Sequence, residues 1–199
     1  MIEWVEKEAR MPQVLKEEIY ERIFQAGIDV FYEKDYRSAK MQDIADKAKI
    51  PVGLIYTYFK NKEQLFTKIV SSVSFDFQRI VREEEAEIGL PSEKYKRIAE
   101  GYLFDLLKQH KIFVIMMDKS HGTRYENAKE DLIASLGAHI QRELSRTAPA
   151  VYHPTLIHIL ASNFVESLLE IARHYETQAL AKELLRLVAK CYYEGVNSL

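Results

Sequence analysis

Two short apolar repeats constrain this chain more than any other feature of its sequence. Met41, Ile44, Ala45 and Ala48 follow one another at i, i+3, i+4 and i+7, and Val52, Ile55, Tyr56 and Phe59 repeat the pattern. That spacing gathers side chains on one face of an α-helix. Between the blocks stands Lys49-Ile50-Pro51, where proline disfavours helical geometry at Ile50 and suits the opening turn of a following helix. The segment therefore reads as a helix, a tight turn and a second helix. Before it, Leu15, Ile19, Ile23, Ala26 and Val30 step by three or four residues, which predicts a longer helix over 13–33.

Only 7 glycines and 5 prolines interrupt the 199 residues, and the intervals are rich in strong helix formers. Asn61, with Gln64 three residues later, is an N-cap with its reciprocal partner and predicts a helix over 61–87. Further breaks at Gly89 to Ser92, near His110, at His121 to Thr123, at Ala148-Pro149 through Pro154 and near Glu176-Thr177 give about nine helices in all. The expected class is all-α: an amino-terminal three-helix domain and a larger helical bundle. The last two helices carry apolar residues on more than one face. Leu160, Phe164 and Leu168 in one, with Leu184, Leu187 and Cys191 in the other, are the candidates for a subunit interface.

Several function classes are disfavoured. The sequence holds no Gly-x-Ser-x-Gly elbow, phosphate-binding glycine loop, dinucleotide fingerprint or His-Glu-x-x-His. No enzyme, cofactor or metal site is therefore expected. His153 and His158 are five apart across a proline and lack nearby carboxylates or cysteines, a poor match to zinc spacings. Asp43 and Asp46 are expected to face water. A single cysteine fits a reducing compartment, and an acidic start without an apolar segment disfavours export, so the expected location is cytoplasmic. The longest obvious apolar run is Ile112 to Met117, far short of the roughly 20 residues that span a bilayer, so no membrane partner is expected.

From Phe31 to Phe66 the chain resembles the amino-terminal domain of the TetR family of bacterial transcription regulators. The resemblance rests on Ile44-Ala45, Ala48, Gly53, Ile55-Tyr56, Tyr58-Phe59 and Lys62-Glu63-x-Leu65, with Ile23, Ala26, Val30 and Phe31 in the first helix. It implies an extension at 1–12, a helix-turn-helix DNA-binding domain at 13–66 and a ligand-binding and dimerisation domain at 67–199. It also implies a homodimer that binds a roughly palindromic operator and is released by a small-molecule inducer, most simply a repressor. An all-helical enzyme and a protein-interaction module with a vestigial helix-turn-helix remain the alternatives.

In a helix-turn-helix the second helix enters the major groove and the first crosses the backbone. Ile44, Ala45, Ile55 and Phe59 would then form the small core, with Leu54, Thr57 and Tyr58 projecting outward and Gly53 admitting DNA to its backbone. The resemblance assigns base reading to Gln42, Val52, Leu54 and Thr57. It assigns phosphate contact to Lys40, Tyr56, Tyr58 and Lys62, with Tyr56 partly packed and Tyr58 more exposed. Three departures stand out: Lys40 replaces a capping Thr or Ser, leaving Ser38 to cap, while Asp35 and Lys49 occupy glycine positions. In the bundle, Tyr102, Phe104, Phe113, Met116, Met117, His121, Tyr125 and Phe164 are the candidates for an apolar pocket.

The formal net charge of −2 disfavours a protein that coats nucleic acid nonspecifically. Residues 34–62, however, hold seven Lys and Arg against three Asp, a local +4. The positive charge coincides with the helix-turn-helix.

Overall fold

The structure, a computed structural model, describes residues 13–73, 75–147 and 151–196. The expected extension at 1–12 and the Ala148-Pro149 break lie outside the described residues. Within them the chain is all α-helix: α1 Gln13–Ser38, α2 Met41–Ala48, α3 Val52–Tyr58, α4 Lys62–Val70, α5 Phe77–Ala86, α6 Pro91–Arg97, α7 Ala99–Lys108, α8 His110–Asp118, α9 Ala128–Thr147, α10 Pro154–Arg173 and α11 Gln178–Val196.

Eleven helices replace the expected nine because two predicted helices are broken. The helix expected over 61–87 ends at Val70, where the Ser72 hydroxyl donates to the Ile69 carbonyl at 2.6 Å. It restarts at Asp76, whose carboxylate accepts from the Arg79 N–H at 2.9 Å. Short polar side chains compete for backbone groups in this way and favour helix ends over interiors. The second break falls at Ile98, where φ −114° and ψ −69° separate α6 from α7.

Two apolar cores divide the molecule. The first joins α1 to α4 through Ile23, Phe31, Ile44, Ala45, Ile55, Leu65, Phe66 and Ile69, all essentially sealed from solvent. It continues past the expected boundary at residue 66 to Val70. The second binds α5 to α11 around Leu107, Phe113, Ala161, Leu169, Ala172 and Leu185. Helix α8 belongs to both: Ile112 and Ile115 are buried in the first core, Phe113, Val114 and Met117 in the second. Side chains about 100° apart around a helix can serve two faces at once, so α8 has a polar residue only at its ends.

Polar contacts reinforce that junction. The Lys111 ammonium lies 2.6 Å from the Asp29 carboxylate, and the Tyr36 N–H donates to the Lys119 carbonyl at 2.9 Å. Helix α10 is long and apolar enough, by length and composition, to cross a membrane, in contrast to the short apolar runs expected from the sequence. Its Ile157, Ala161, Phe164, Val165, Leu168, Leu169, Ile171 and Ala172 are buried within the chain itself.

Candidate nucleic-acid interface

The helix-turn-helix is set by its turn. Lys49 adopts a left-handed conformation, φ 55° and ψ 47°, which turns the chain so that the next N–H, that of Ile50, reaches back to the Ala45 carbonyl at 3.1 Å. Arg22 of α1 reaches across to the end of α2, its guanidinium donating to the Ala48 and Lys49 carbonyls at 2.6 and 3.2 Å. Ile44, Ala45 and Ile55 are sealed beneath the crossing and Phe59 is almost so. The core expected from the spacing is present.

At the start of α2 the capping differs from expectation. Ser38 does not cap it; the Lys40 N–H donates to the Asp43 carboxylate at 2.9 Å. Asp43, expected to face water, also pairs with Lys34 at 2.9 Å. These contacts, the lysine first, hold its carboxyl below the ordinary value of 3.8. Asp46, the other acid expected to face water, accepts from the Gln42 amide at 2.7 Å. At the start of α4, Asn61 caps as expected, accepting from the Gln64 N–H at 2.8 Å, while the Gln64 side chain accepts from Lys60 rather than from Asn61.

The outer face places the candidate residues unequally. A shallow concavity of about 550 Å³ between the start of α2 and the side of α3 is lined by Lys40, Gln42, Val52, Tyr56 and Lys62, bringing five of the nine together. Gly53 faces open space, since a β-carbon there would meet nothing within 4 Å. Thr57 is exposed, its hydroxyl donating to the Leu54 carbonyl at 2.7 Å. Leu54 and Val52 are half-buried against the first core.

The two tyrosines exchange their expected roles. Tyr56 is the exposed one, at 50%, whereas Tyr58 packs near Tyr20 with its hydroxyl buried and without a partner. Lys62 also departs from expectation. Its ammonium turns inward to the Tyr36, Ala39 and Arg37 carbonyls at 2.6, 2.8 and 3.4 Å, and burial pushes its pKa down. It therefore closes the free carbonyl end of α1, a role for which its charge and three donors are suited.

Among the other basic side chains here, Lys34 pairs with Asp43 and Lys47 with Glu33. Lys40, Lys49 and Lys60 are exposed and make no ion pair among the described residues. Lys60, between α3 and α4, was not singled out by the sequence. Its only signal was membership in the +4 window.

Residues 23–69 match the family model described as bacterial regulatory proteins, tetR family. The amino-terminal domain belongs to the tetR family. The fatty acid metabolism regulator protein of Bacillus subtilis (strain 168) is 26% identical over 96 residues, 48% of this chain and 50% of that protein. The transcriptional repressor NicS of Pseudomonas putida is 23% identical over 136 residues, 68% of this chain and 60% of its own length. The chain thus spans about half the length of the first curated relatives it matches. Over the whole fold, a fatty acid metabolism regulator from Clostridium perfringens superposes with a TM-score of 0.60 at 21% identity, covering 87% of this chain and 97% of its own. The MbdR regulator of Azoarcus sp. CIB gives 0.64 at 16%, covering 89% and 98%. At such identities the likeness shows a shared fold.

Behind the tetR-family domain, the expected pocket residues stand in different surroundings. Phe113 and Met117 are core, and Met116 bridges both cores. The His121 side chain is 68% exposed, 3.7 Å from the Glu126 carboxylate. Tyr125 packs against Phe66 of the tetR-family domain, ring centres 6.3 Å apart. Phe104 lies beneath Lys108 and Lys182, and Tyr102 donates to Glu83 at 2.9 Å. Phe164 borders a groove of about 450 Å³ between α10 and α11.

The interface candidates divide similarly. Leu160, Leu187 and Cys191 line that groove, with Leu187 53% exposed and Cys191 exposed. Leu168 is buried in the bundle core, Phe164 is buried at the floor of the groove, and Leu184 is half-buried, so these three are less exposed than helical spacing alone suggested. His153 and His158 each lie beside a neighbour in α10. The first accepts from the Thr155 N–H at 3.2 Å, and the second lies 3.4 Å from the Ser162 hydroxyl.

Proposed function

We propose that the chain is a cytoplasmic, ligand-responsive transcriptional repressor that binds a roughly palindromic operator as a homodimer, one α2–α3 unit per half-site. The observation that carries this reading is the outer face of α3: Gly53 without side-chain neighbours, Thr57 and Tyr56 exposed, and unpaired Lys40, Lys49 and Lys60 around them. Such a face offers base contacts at its centre and phosphate contacts at its rim. The curated relatives and the tetR-family match support the same function.

The two subunits would meet on the outer faces of α10 and α11, where Leu160, Leu187 and Cys191 stand. A ligand held in the bundle would act through α8, because a shift of α8 moves residues of both cores. By linkage, a ligand that prefers wrongly spaced heads must weaken operator binding by the same factor.

The test is selection of duplexes from a random pool, followed by gel shift at several salt concentrations with a folded dimer confirmed by sedimentation. Enrichment of a palindromic sequence whose affinity falls steeply with salt is expected. Failure to enrich any sequence would overturn the proposal.

A further inference from the structure

Arg37, near the end of α1, is an exposed cation that the fold leaves uncommitted. Its guanidinium makes no ion pair and no hydrogen bond among the described residues. A guanidinium carries five donors in a planar fork, which suits the oxygens of a phosphate. Two nearby acids are engaged elsewhere: the Asp35 carboxylate accepts from the Ser38 N–H at 2.8 Å, and Glu126 accepts from the Gly122 N–H at 3.1 Å.

What positions the side chain is a glycine of the bundle. A β-carbon at Gly122 would stand 3.1 Å from Arg37 Nε, 3.7 Å from its Cγ and 3.8 Å from its Nη2, so the arginine lies along bare backbone. Gly122 itself has φ +83°, a region that other residues rarely enter. The loop that carries it, 119–127 between α8 and α9, is well tied. Ser120 is buried and its hydroxyl donates to the Tyr125 carbonyl at 2.9 Å, while the Thr123 hydroxyl donates to the Ser120 carbonyl at 2.7 Å. The Lys119 carbonyl accepts from the N–H of Tyr36, next to Arg37 in the chain, at 2.9 Å.

The same contacts join Arg37 to the candidate phosphate contacts. Lys62, which lines the concavity beside α3 together with Lys40, bonds the carbonyls of Tyr36, Arg37 and Ala39. Lys40 is three residues further on, at most about 11 Å along an extended chain. One DNA strand carries a phosphate about every 3.4 Å of helix axis. A strand that meets Lys40 therefore offers further phosphates at that range. Arg37 is one of the seven cations in the +4 window, and the family resemblance assigned it no role.

We propose that Arg37 is a further phosphate contact of the operator complex, presented by Gly122, so that the bundle itself sets one of the contacts to DNA. The proposal rests on the operator-binding reading above and extends that interface past the helix-turn-helix to the 119–127 loop.

Gel shift of the full chain on its selected duplex, across salt concentrations, tests it. Arg37→Gln is expected to weaken every duplex severalfold, to keep the order of preference among duplexes and to flatten the slope of log affinity against log salt by about 0.9. Arg37→Lys keeps the charge and should keep the slope. Gly122→Ala sets a methyl group against Nε; it is expected to weaken the duplex severalfold in the wild-type background and to have no further effect in Arg37→Gln. A glycine of purely structural importance would act equally in both backgrounds. An unchanged slope in folded Arg37→Gln, or an equal effect of Gly122→Ala in the two backgrounds, would overturn the proposal. Should Gly122→Ala fail to fold, the slopes of Arg37→Gln and Arg37→Lys decide it. A wild-type chain that enriches no duplex refutes the operator-binding reading and this contact with it, whereas an enriched duplex whose slope is indifferent to Arg37 refutes the contact alone.

Discussion

Lys62, at the first turn of α4, holds the Tyr36 carbonyl at the end of α1 with a 2.6 Å hydrogen bond, and spans to Ala39 at 2.8 Å. The ammonium group thereby ties together the two helices that flank the helix-turn-helix. Lys62→Met keeps the aliphatic stem and removes the charge-assisted hydrogen bonds, each type of which contributes about 1.5–3 kcal/mol. A loss of about 2 kcal/mol in chemical denaturation is expected. The slope of log affinity against log salt for the selected duplex should stay unchanged, whereas Lys60→Ala should flatten it by about 0.9. The reverse pattern would make Lys62 the phosphate contact.

Asp35 occupies a backbone region that only glycine enters readily, φ 69° and ψ 172°, and Lys49 sits in the left-handed helical region. Strain of this kind costs about 1–3 kcal/mol at the first position and about 1–2 kcal/mol at the second. Asp35 recovers part through its carboxylate, which accepts from the Ser38 N–H at 2.8 Å. Lys49→Gly is expected to stabilise the chain by about 1 kcal/mol, and Asp35→Gly by a similar or smaller amount. Thermal melting of both variants checks this; a fall in melting temperature for Lys49→Gly would contradict it.

Tyr58 and Tyr56 should respond in opposite ways. Tyr58→Phe removes a buried hydroxyl that has no partner, so the melting temperature should hold or rise. Tyr56→Ala removes a half-exposed ring; stability should change by less than about 0.5 kcal/mol, while duplex affinity falls. If Tyr58→Phe destabilises the chain, the hydroxyl has a partner that this arrangement lacks.

Acid should unfold the chain through its paired carboxylates. Hydrogen bonds from Lys34 and the Lys40 N–H lower Asp43, the Ser38 N–H lowers Asp35, and Arg173 with Lys129 lowers Glu166. Each binds its proton more weakly folded than unfolded, so the unfolded chain gains protons first. The stabilisation is complete above the ordinary carboxyl values of 3.8 and 4.5 and is lost as pH falls through the lower folded values. Melting temperature should therefore drop between about pH 4.5 and pH 3, and less steeply in Asp43→Asn.

The sequence made the helix-turn-helix legible because its determinants are local. Apolar spacing placed Ile44, Ala45 and Ile55 in the core and Pro51 marked the turn, while the left-handed residue at Lys49 was implied only by the family resemblance, through the glycine position that it occupies. What escaped depended on partners distant in sequence. Tyr58 is turned inward by Tyr20, Lys62 by the end of α1, and Leu168 by the bundle, and none of these contacts leaves a periodic trace. Arg37 and Gly122 escaped for the same reason, one near the end of α1 and the other beyond α8, brought together by the packing of α1 on α8.

Whether the face of α3 meets DNA is tested most directly by Gly53→Ala. A β-carbon there meets nothing within 4 Å in the free protein, and alanine is the better helix former by about 1 kcal/mol. Stability should therefore hold or rise. The measurement is the affinity of Gly53→Ala for the selected duplex relative to wild type. A loss of tenfold or more is expected, from about 1.4 kcal/mol or more of steric conflict in the groove. Unchanged affinity in the folded variant would mean that α3 does not approach DNA at Gly53, and would contradict the central claim.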